Sequence, residues 1–248
     1  MKTRTMTVAA CVAFAGFASI AQADPQYTTV NPAPGSELGH AAILTNMYGG
    51  TWTSSGVNVS SGVSTAMRIM DAGAPSGGGV GLPLNAIESS QDDMWSVAGG
   101  LFVTVTAKAR FAGDSHIFGW FDDTQLDPAF QPVIGTGTFD APVTIELSPM
   151  FRWALQNVST GRTFSSLPMT NLGAGARSGE SFDQLVSYLI TGTGGLNEVA
   201  LFWEDRIGGQ GADYDYNDAV VTVSVVPGPG TGVLAGLGLL GLAGRRRR

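Results

Sequence analysis

Leu101-Phe102-Val103-Thr104-Val105-Thr106-Ala107-Lys108-Ala109-Arg110-Phe111 alternates apolar and polar side chains along most of its length. Leu101, Val103, Val105, Ala107, Ala109 and Phe111 fall on one side, and Thr104, Thr106, Lys108 and Arg110 lie between them. A period of two is the signature of a strand with one buried and one wet face. The same pattern recurs downstream. Val143, Ile145 and Leu147 alternate with Thr144 and Glu146, and Phe151, Trp153 and Leu155 alternate with Arg152 and Gln156. Ile117 to Phe121, Leu185 to Ile190, Val199 to Trp203 and Ala219 to Val226 read as further strands, with Gly, Pro, Asn and Asp in the gaps. Many short strands with turn residues between them predict an all-β fold, an antiparallel β-sandwich or jelly roll. The one helix expected is short and N-terminal, from Glu37 to Met47. Ser36 is its cap, Leu38, Ala42 and Met47 share a face, and Tyr48-Gly49-Gly50 ends it.

Upstream of the strands the pattern fades. Asp24 to Pro34 reads as an extended, proline-punctuated lead. A Gly/Ser/Thr-rich stretch runs from the helix to about Ser64, and Gly77-Gly78-Gly79 forms a second glycine cluster. Neither heptads nor internal repeats occur. The reading divides the chain into 1–23, 24–100 (lead, helix and Gly/Ser-rich part), 101–226 (the sandwich with its acidic loop) and 227–248.

The two end segments carry addresses. Lys2 and Arg4 precede an apolar run from Val8 to Ile20, and Ala21-Gln22-Ala23 is a small-x-small site. Those are the three zones of a secretion signal, cut after Ala23. Cys11, the only cysteine, leaves with it, so the mature domain has no disulfide. At the other end Val226-Pro227-Gly228-Pro229-Gly230 is a turn-prone break. Thr231 to Gly244 is uncharged and rich in Leu, Gly and Ala, and Arg245 to Arg248 close the chain. An apolar stretch of about 14 residues is short of the roughly 20 that span a bilayer. It is expected to sit in the inner membrane only transiently, through 231–244, with the arginines on the cytoplasmic side. This three-part end resembles the PEP-CTERM sorting signal, with Gly228 where that family usually has Glu. The resemblance implies cutting near Pro227–Pro229 by a sorting transpeptidase of the exosortase type. It also implies a destination at the cell envelope, the cell surface or the extracellular matrix.

Charge narrows the partners. Thirteen basic residues stand against 20 acidic ones. Six of the basic residues (Lys2, Arg4 and Arg245 to Arg248) lie in the end segments, which hold no acidic residue. The domain between them has 7 basic and 20 acidic residues, a net charge of −13. Such a balance argues against nucleic acid and anionic lipid and favours divalent cations.

The acidic residues concentrate before the last strand. Glu204 and Asp205 end one strand, a Gly-rich turn follows, and Asp213, Asp215, Asn217 and Asp218 precede Ala219-Val220-Val221. These six acidic and Asn side chains thus lie within 15 residues. On an extended backbone, Asp213, Asp215 and Asn217 point the same way. Converging carboxylate and amide oxygens suit a hard cation, above all Ca²⁺, which takes six to eight oxygens at about 2.3–2.6 Å. With no Cys or His beside them, Zn²⁺ and copper fit poorly. An EF-hand is excluded, because Asp218 and Ser224 stand where that loop needs Gly and Glu. A hairpin turn with Asp and Asn bonded to their own backbone is the alternative reading.

The same segment resembles a bacterial extracellular domain of unknown function that closes with Glu-Asp…Asp-x-Asp-Tyr-Asn-Asp and a Val-rich strand. Ala109 to Phe121, ending Gly119-Trp120-Phe121, is similar to that domain's earlier strand pair. The likeness covers Leu101 to Val226. It implies a β-sandwich with Ca²⁺ binding and no catalysis, and it assigns Glu204, Asp205, Asp213, Asp215, Asn217 and Asp218 as ligands or turn braces, with Asp205 open to bonding the turn backbone instead.

Enzyme constellations find little support. His40 and His116 are the only histidines. His40 is expected to pack or lie on the helix surface. Asp114-Ser115-His116 are loop neighbours, which do not easily form a nucleophile–base–orienter line. Asp122, Asp123 and Asp127 sit beside Pro128 and read as a solvated turn, with a carboxylate pair for glycoside hydrolysis or help in binding a second cation as the alternatives. Gly77 to Gly81 lacks the Lys-Ser/Thr of a phosphate loop. Trp52, Trp95, Trp120, Trp153 and Trp203 are expected in the core, although exposed coplanar ones would make a sugar platform. The sequence therefore predicts a secreted, non-enzymatic surface or matrix protein with a structural Ca²⁺ site. The alternatives are a carbohydrate-binding module for extracellular polysaccharide, and an extracellular hydrolase.

Overall fold

A computed structural model describes residues 27–69, 80–81, 92–97, 101–171, 183–192, 197–207 and 211–226. Residues 1–23 and 227–248, which the sequence reading takes as secretion and sorting signals, and Gly77-Gly78-Gly79 lie outside the described residues, as does Cys11. Among the described residues no helix is long and apolar enough to cross a membrane.

Two sheets face each other. In chain order the elements begin with α1 (His40–Tyr48), β1 (Thr53–Ser55), β2 (Asn58–Ser60), β3 (Ser64–Arg68), β4 (Val80–Gly81) and β5 (Trp95–Ser96). They continue with β6 (Leu101–Ala109), β7 (His116–Asp122), β8 (Phe130–Gly135), β9 (Val143–Leu147) and β10 (Met150–Asn157). The last are β11 (Arg162–Ser165), β12 (Leu185–Gly192), β13 (Asn197–Trp203) and β14 (Ala219–Val225). The larger sheet runs β1-β2-β3-β12-β13-β14-β6-β9. The smaller runs β4-β5-β10-β7-β8, with β11 also paired to β10. All pairings are antiparallel except the short β4–β5 pair. This is the expected β-sandwich.

The core between the sheets follows from the alternation. Val103, Val105 and Ala107 of β6, Val221 and Val223 of β14, and Val199, Leu201 and Trp203 of β13 meet Phe118, Phe151, Trp153 and Leu155 of the smaller sheet. A second cluster lies on the other face of the larger sheet. There Val186, Tyr188, Ile190, Ala200, Phe202 and Val220 are covered by Ile43 and Leu44 of α1, Trp52 and Tyr216. The central strands are therefore buried on both faces, which is why β12 reads as a continuous apolar run. Trp52, Trp95, Trp153 and Trp203 are buried, and Trp120 packs half-buried against the core.

Three expectations need correction. The helix starts at His40 with Gly39 as its N-cap, and Ser36 does not cap it. Glu37 N–H bonds to Pro34 O, and Gly35 has φ 59°, so Pro34 to Glu37 is a turn in front of the helix. Its buried residues are His40, Ile43 and Leu44, rather than Leu38, Ala42 and Met47. The Gly/Ser/Thr-rich stretch is not merely loop. It forms β1, β2 and β3, with Gly56 and Gly62 at positive φ in the two turns, and β3 extends the large sheet along β12. The third concerns the acidic loop.

Candidate metal centre

Trp203 pairs with Ala219, so residues 204–218 form the connection between the two central strands at one end of the large sheet. The backbone over 213–217 is not extended. Tyr214 and Tyr216 adopt left-handed φ values of 59° and 56°. Aromatic residues avoid that region, so the surroundings must hold them there. Tyr214 N–H donates to Glu204 Oε2 (2.8 Å), and Tyr214 O accepts from Asn31 N–H (2.9 Å). Tyr216 is fully buried and donates its hydroxyl to Asp183 O (3.1 Å).

This backbone divides the six predicted residues. Glu204, Asp205 and Asp218 form one cluster, with one oxygen from each mutually within 4.8 Å. Asp213 and Asp215 form a second with Glu37, which arrives from the turn before α1. Asp213, Asp215 and Asn217 do not present their oxygens side by side: Asp213 is exposed, while Asp215 and Asn217 are buried and bonded to each other. The backbone N–H and Nδ2 of Asn217 bond Asp215 Oδ1 and Oδ2 (3.1 and 2.6 Å), and Nδ2 also reaches Leu38 O (3.2 Å). Asn217 thus braces the loop, and its Oδ1 is buried with no hydrogen-bond partner among the described residues.

The first cluster is the better built. Glu204 and Asp205 are 1% and 2% exposed, and Asp218 is half-buried. Each carboxylate commits one oxygen to an N–H donor. Glu204 Oε2 takes Tyr214 N–H, and Asp218 Oδ2 takes Asp205 N–H (2.8 Å). Asp205 Oδ2 takes His116 Nε2 (2.5 Å) and Asn157 Nδ2 (3.1 Å) rather than the turn backbone. Burial, then the charge and hydrogen bond of Asp218, push Glu204 up to about 10. Burial, then the charge of Asp205, push Asp218 up to about 7. In the second cluster, burial and the charge of Asp213 push Asp215 up to about 7. Carboxyls driven this far toward the neutral form sit where a positive charge is missing. The three carboxylates of the first cluster form an all-oxygen set with little exposure and fit a hard cation such as Ca²⁺. A histidine does stand beside them, contrary to the sequence expectation, but His116 has its Nε2 taken up by Asp205 Oδ2.

Sequence reasoning missed His116, Asn157 and Glu37 as members of this region. Asp114 turns to Asn157 Nδ2 (2.9 Å) and Arg206 (3.0 Å), so no Asp-Ser-His line forms within 114–116. The partner of His116 lies 89 residues away, a distance that no local motif signals. His40 is buried, packing on Phe202 and bonding Tyr188 Oη and Asp215 O at 2.9 Å each. Asp122 accepts Thr124 N–H, and Asp123 lies 3.4 Å from Arg152, which ties both into the strand end and turn after β7.

A cleft of about 650 Å³ opens beside the lead, the start of α1 and the β1–β2 hairpin. Tyr27, Asn31, His40, Asn58, Arg68 and Tyr188 are among its lining residues. No family model matches the chain, and neither a curated protein nor a solved structure does.

Proposed function

We propose that this chain is an exported, non-enzymatic surface or matrix protein whose β-sandwich is locked by a structural Ca²⁺ ion. Glu204, Asp205 and Asp218 would be the principal ligands. The observation that carries this reading is the convergence of three carboxylates, Glu204 and Asp205 buried and Asp218 half-buried, with one oxygen from each within 4.8 Å of the others. Ca²⁺ neutralises them and fixes the β13–β14 connection, a structural role that needs no reacting group. The export half rests on the secretion signal at 1–23 and the PEP-CTERM-like tail at 227–248. Sorting by an exosortase-type transpeptidase would place the domain at the envelope, the surface or the matrix.

Thermal unfolding in Ca²⁺ and in EDTA tests the metal. A ligand at 100 times its Kd adds about 2.7 kcal/mol. For a domain of this size that is a midpoint shift of roughly 5–10 °C. Glu204→Gln/Asp218→Asn should abolish the response, whereas coincident wild-type curves would leave the loop a turn without a metal. Mass spectrometry of the secreted form tests the address, with Asp24 expected at the N-terminus and the Arg cluster gone.

A second reading, binding of extracellular polysaccharide, draws support from the 650 Å³ cleft with its Tyr27, Asn31 and Asn58 lining. It draws none from the tryptophans, which pack into the two cores or against them.

A further inference from the structure

The cation site belongs to the large sheet, but one of its carboxylates is gripped from the small one. His116 opens β7 and Asn157 closes β10, and the two are directly paired across those strands. Both reach the same atom, Asp205 Oδ2, at 2.5 and 3.1 Å. Asn157 Nδ2 can only donate, so Oδ2 accepts from it, and as a carboxylate oxygen it accepts the Nε2–H of His116 as well. Two donors on one oxygen fix the plane of the carboxylate and leave Oδ1 as the oxygen to face an ion. Arg206 Nε is 3.7 Å from Oδ1, a looser contact than either grip on Oδ2. The grip itself is anchored. His116 O accepts Thr136 N–H (3.0 Å), and Asn157 is tied to Asp114, which pairs with Arg206.

His116 is also held at a cost. It is 3% exposed, and its Nδ1 is buried with no hydrogen-bond partner among the described residues. A position selected for packing alone would be served by an apolar ring of similar size, with no stranded nitrogen. The imidazole makes sense here for its Nε2–H.

We propose that His116, assisted by Asn157, is the positioning residue of the cation site, acting through Asp205 to aim Oδ1 at the ion. The inference rests on the Ca²⁺ reading of Glu204, Asp205 and Asp218. Residues that orient metal ligands typically alter affinity 10–100-fold when removed.

The test is a Ca²⁺ titration of the full chain, followed by calorimetry and by Tb³⁺ luminescence, on His116→Gln and His116→Leu. Gln keeps a donor near the position of Nε2 and should bind within about threefold of wild type, while Leu should bind 10–100-fold more weakly. The same pair is then made in an Asp205→Asn background. Positioning through Asp205 requires the Gln-to-Leu difference to vanish there, whereas a general loss of packing would persist. If His116→Leu does not fold, His116→Asn, too short to reach Asp205, takes its place in the comparison. Wild-type binding together with undiminished binding by the Leu or Asn variant overturns the inference and leaves the metal reading intact. Wild type that binds neither ion removes the metal reading, and the inference with it.

Discussion

Calcium binding at neutral pH should expel protons, and the structure sets how many. Glu204, pushed up to about 10, keeps its proton at pH 7 in nearly every ion-free molecule. Asp218, at about 7, is then close to half-protonated. The two carboxyls are hydrogen-bonded to each other and titrate as a pair, so the pair holds roughly 1–1.5 protons at pH 7. A Ca²⁺ ion ligated by both carboxylates must displace them. Calorimetric titration in buffers of high and low ionisation enthalpy reads that number as the slope of heat against buffer enthalpy. The apparent affinity should also rise roughly tenfold per pH unit between about 7.5 and 9, for one proton released. The stability sign agrees. These carboxyls have folded pKa values above their unfolded ones, so the ion-free fold binds protons more tightly than the unfolded chain. It should therefore strengthen as pH falls from alkaline values toward about 4.5, while the Ca²⁺-loaded fold changes less. Heat independent of buffer, with an affinity equal at pH 7.5 and 9, would refute the reasoning: the ion would then not be entering through Glu204 and Asp218.

His40 should act in the opposite direction. Burial lowers its pKa to about 4, so the unfolded chain takes up the proton first as pH falls. Its stabilisation is complete above about 6.5 and is lost toward pH 4, by about 3 kcal/mol. Denaturant unfolding in EDTA should show the stability of wild type relative to His40→Gln falling by that amount between pH 6.5 and 4. Gly119→Ala should destabilise by more than about 2 kcal/mol, because a Cβ there would lie 2.2 Å from Gln131 O at the β7–β8 irregularity; an unchanged urea midpoint would contradict the pairing. Phe118→Ala should cost about 3–5 kcal/mol, since the ring lies between Trp153 and Trp203 in the inter-sheet core. Lys108→Ala should fall within about 0.5 kcal/mol of wild type, because its partner Asp140 is largely exposed.

Several features were legible because they rest on local pattern. The alternation in 101–111 and 143–147 located β6 and β9, and the apolar runs located β12, β13 and β14. The β1–β3 region was illegible for the converse reason. Thr53–Ser55 and Asn58–Ser60 have almost no apolar contrast, and they become strands only because β3 finds a partner in β12. Ser36 was misread as a cap because a Ser before a helical pattern has two uses, and Gly35 at positive φ made this one part of a turn.

The sequence by itself determined that the chain is β-rich, that its acidic charge gathers before the last strand, and that carboxylate and amide oxygens dominate there. Composition and period are local properties, and they survive any arrangement of the strands. The tertiary structure alone decided how those oxygens are shared out. Left-handed φ at Tyr214 and Tyr216 separates Glu204, Asp205 and Asp218 from Asp213 and Asp215. The opposed sheets carry His116 and Asn157 to Asp205, and the turn before α1 brings Glu37 to Asp213. These contacts join residues roughly 50 to 180 positions apart. They depend on which strands pair and which faces meet, a choice made by burial over the whole domain that no single segment records.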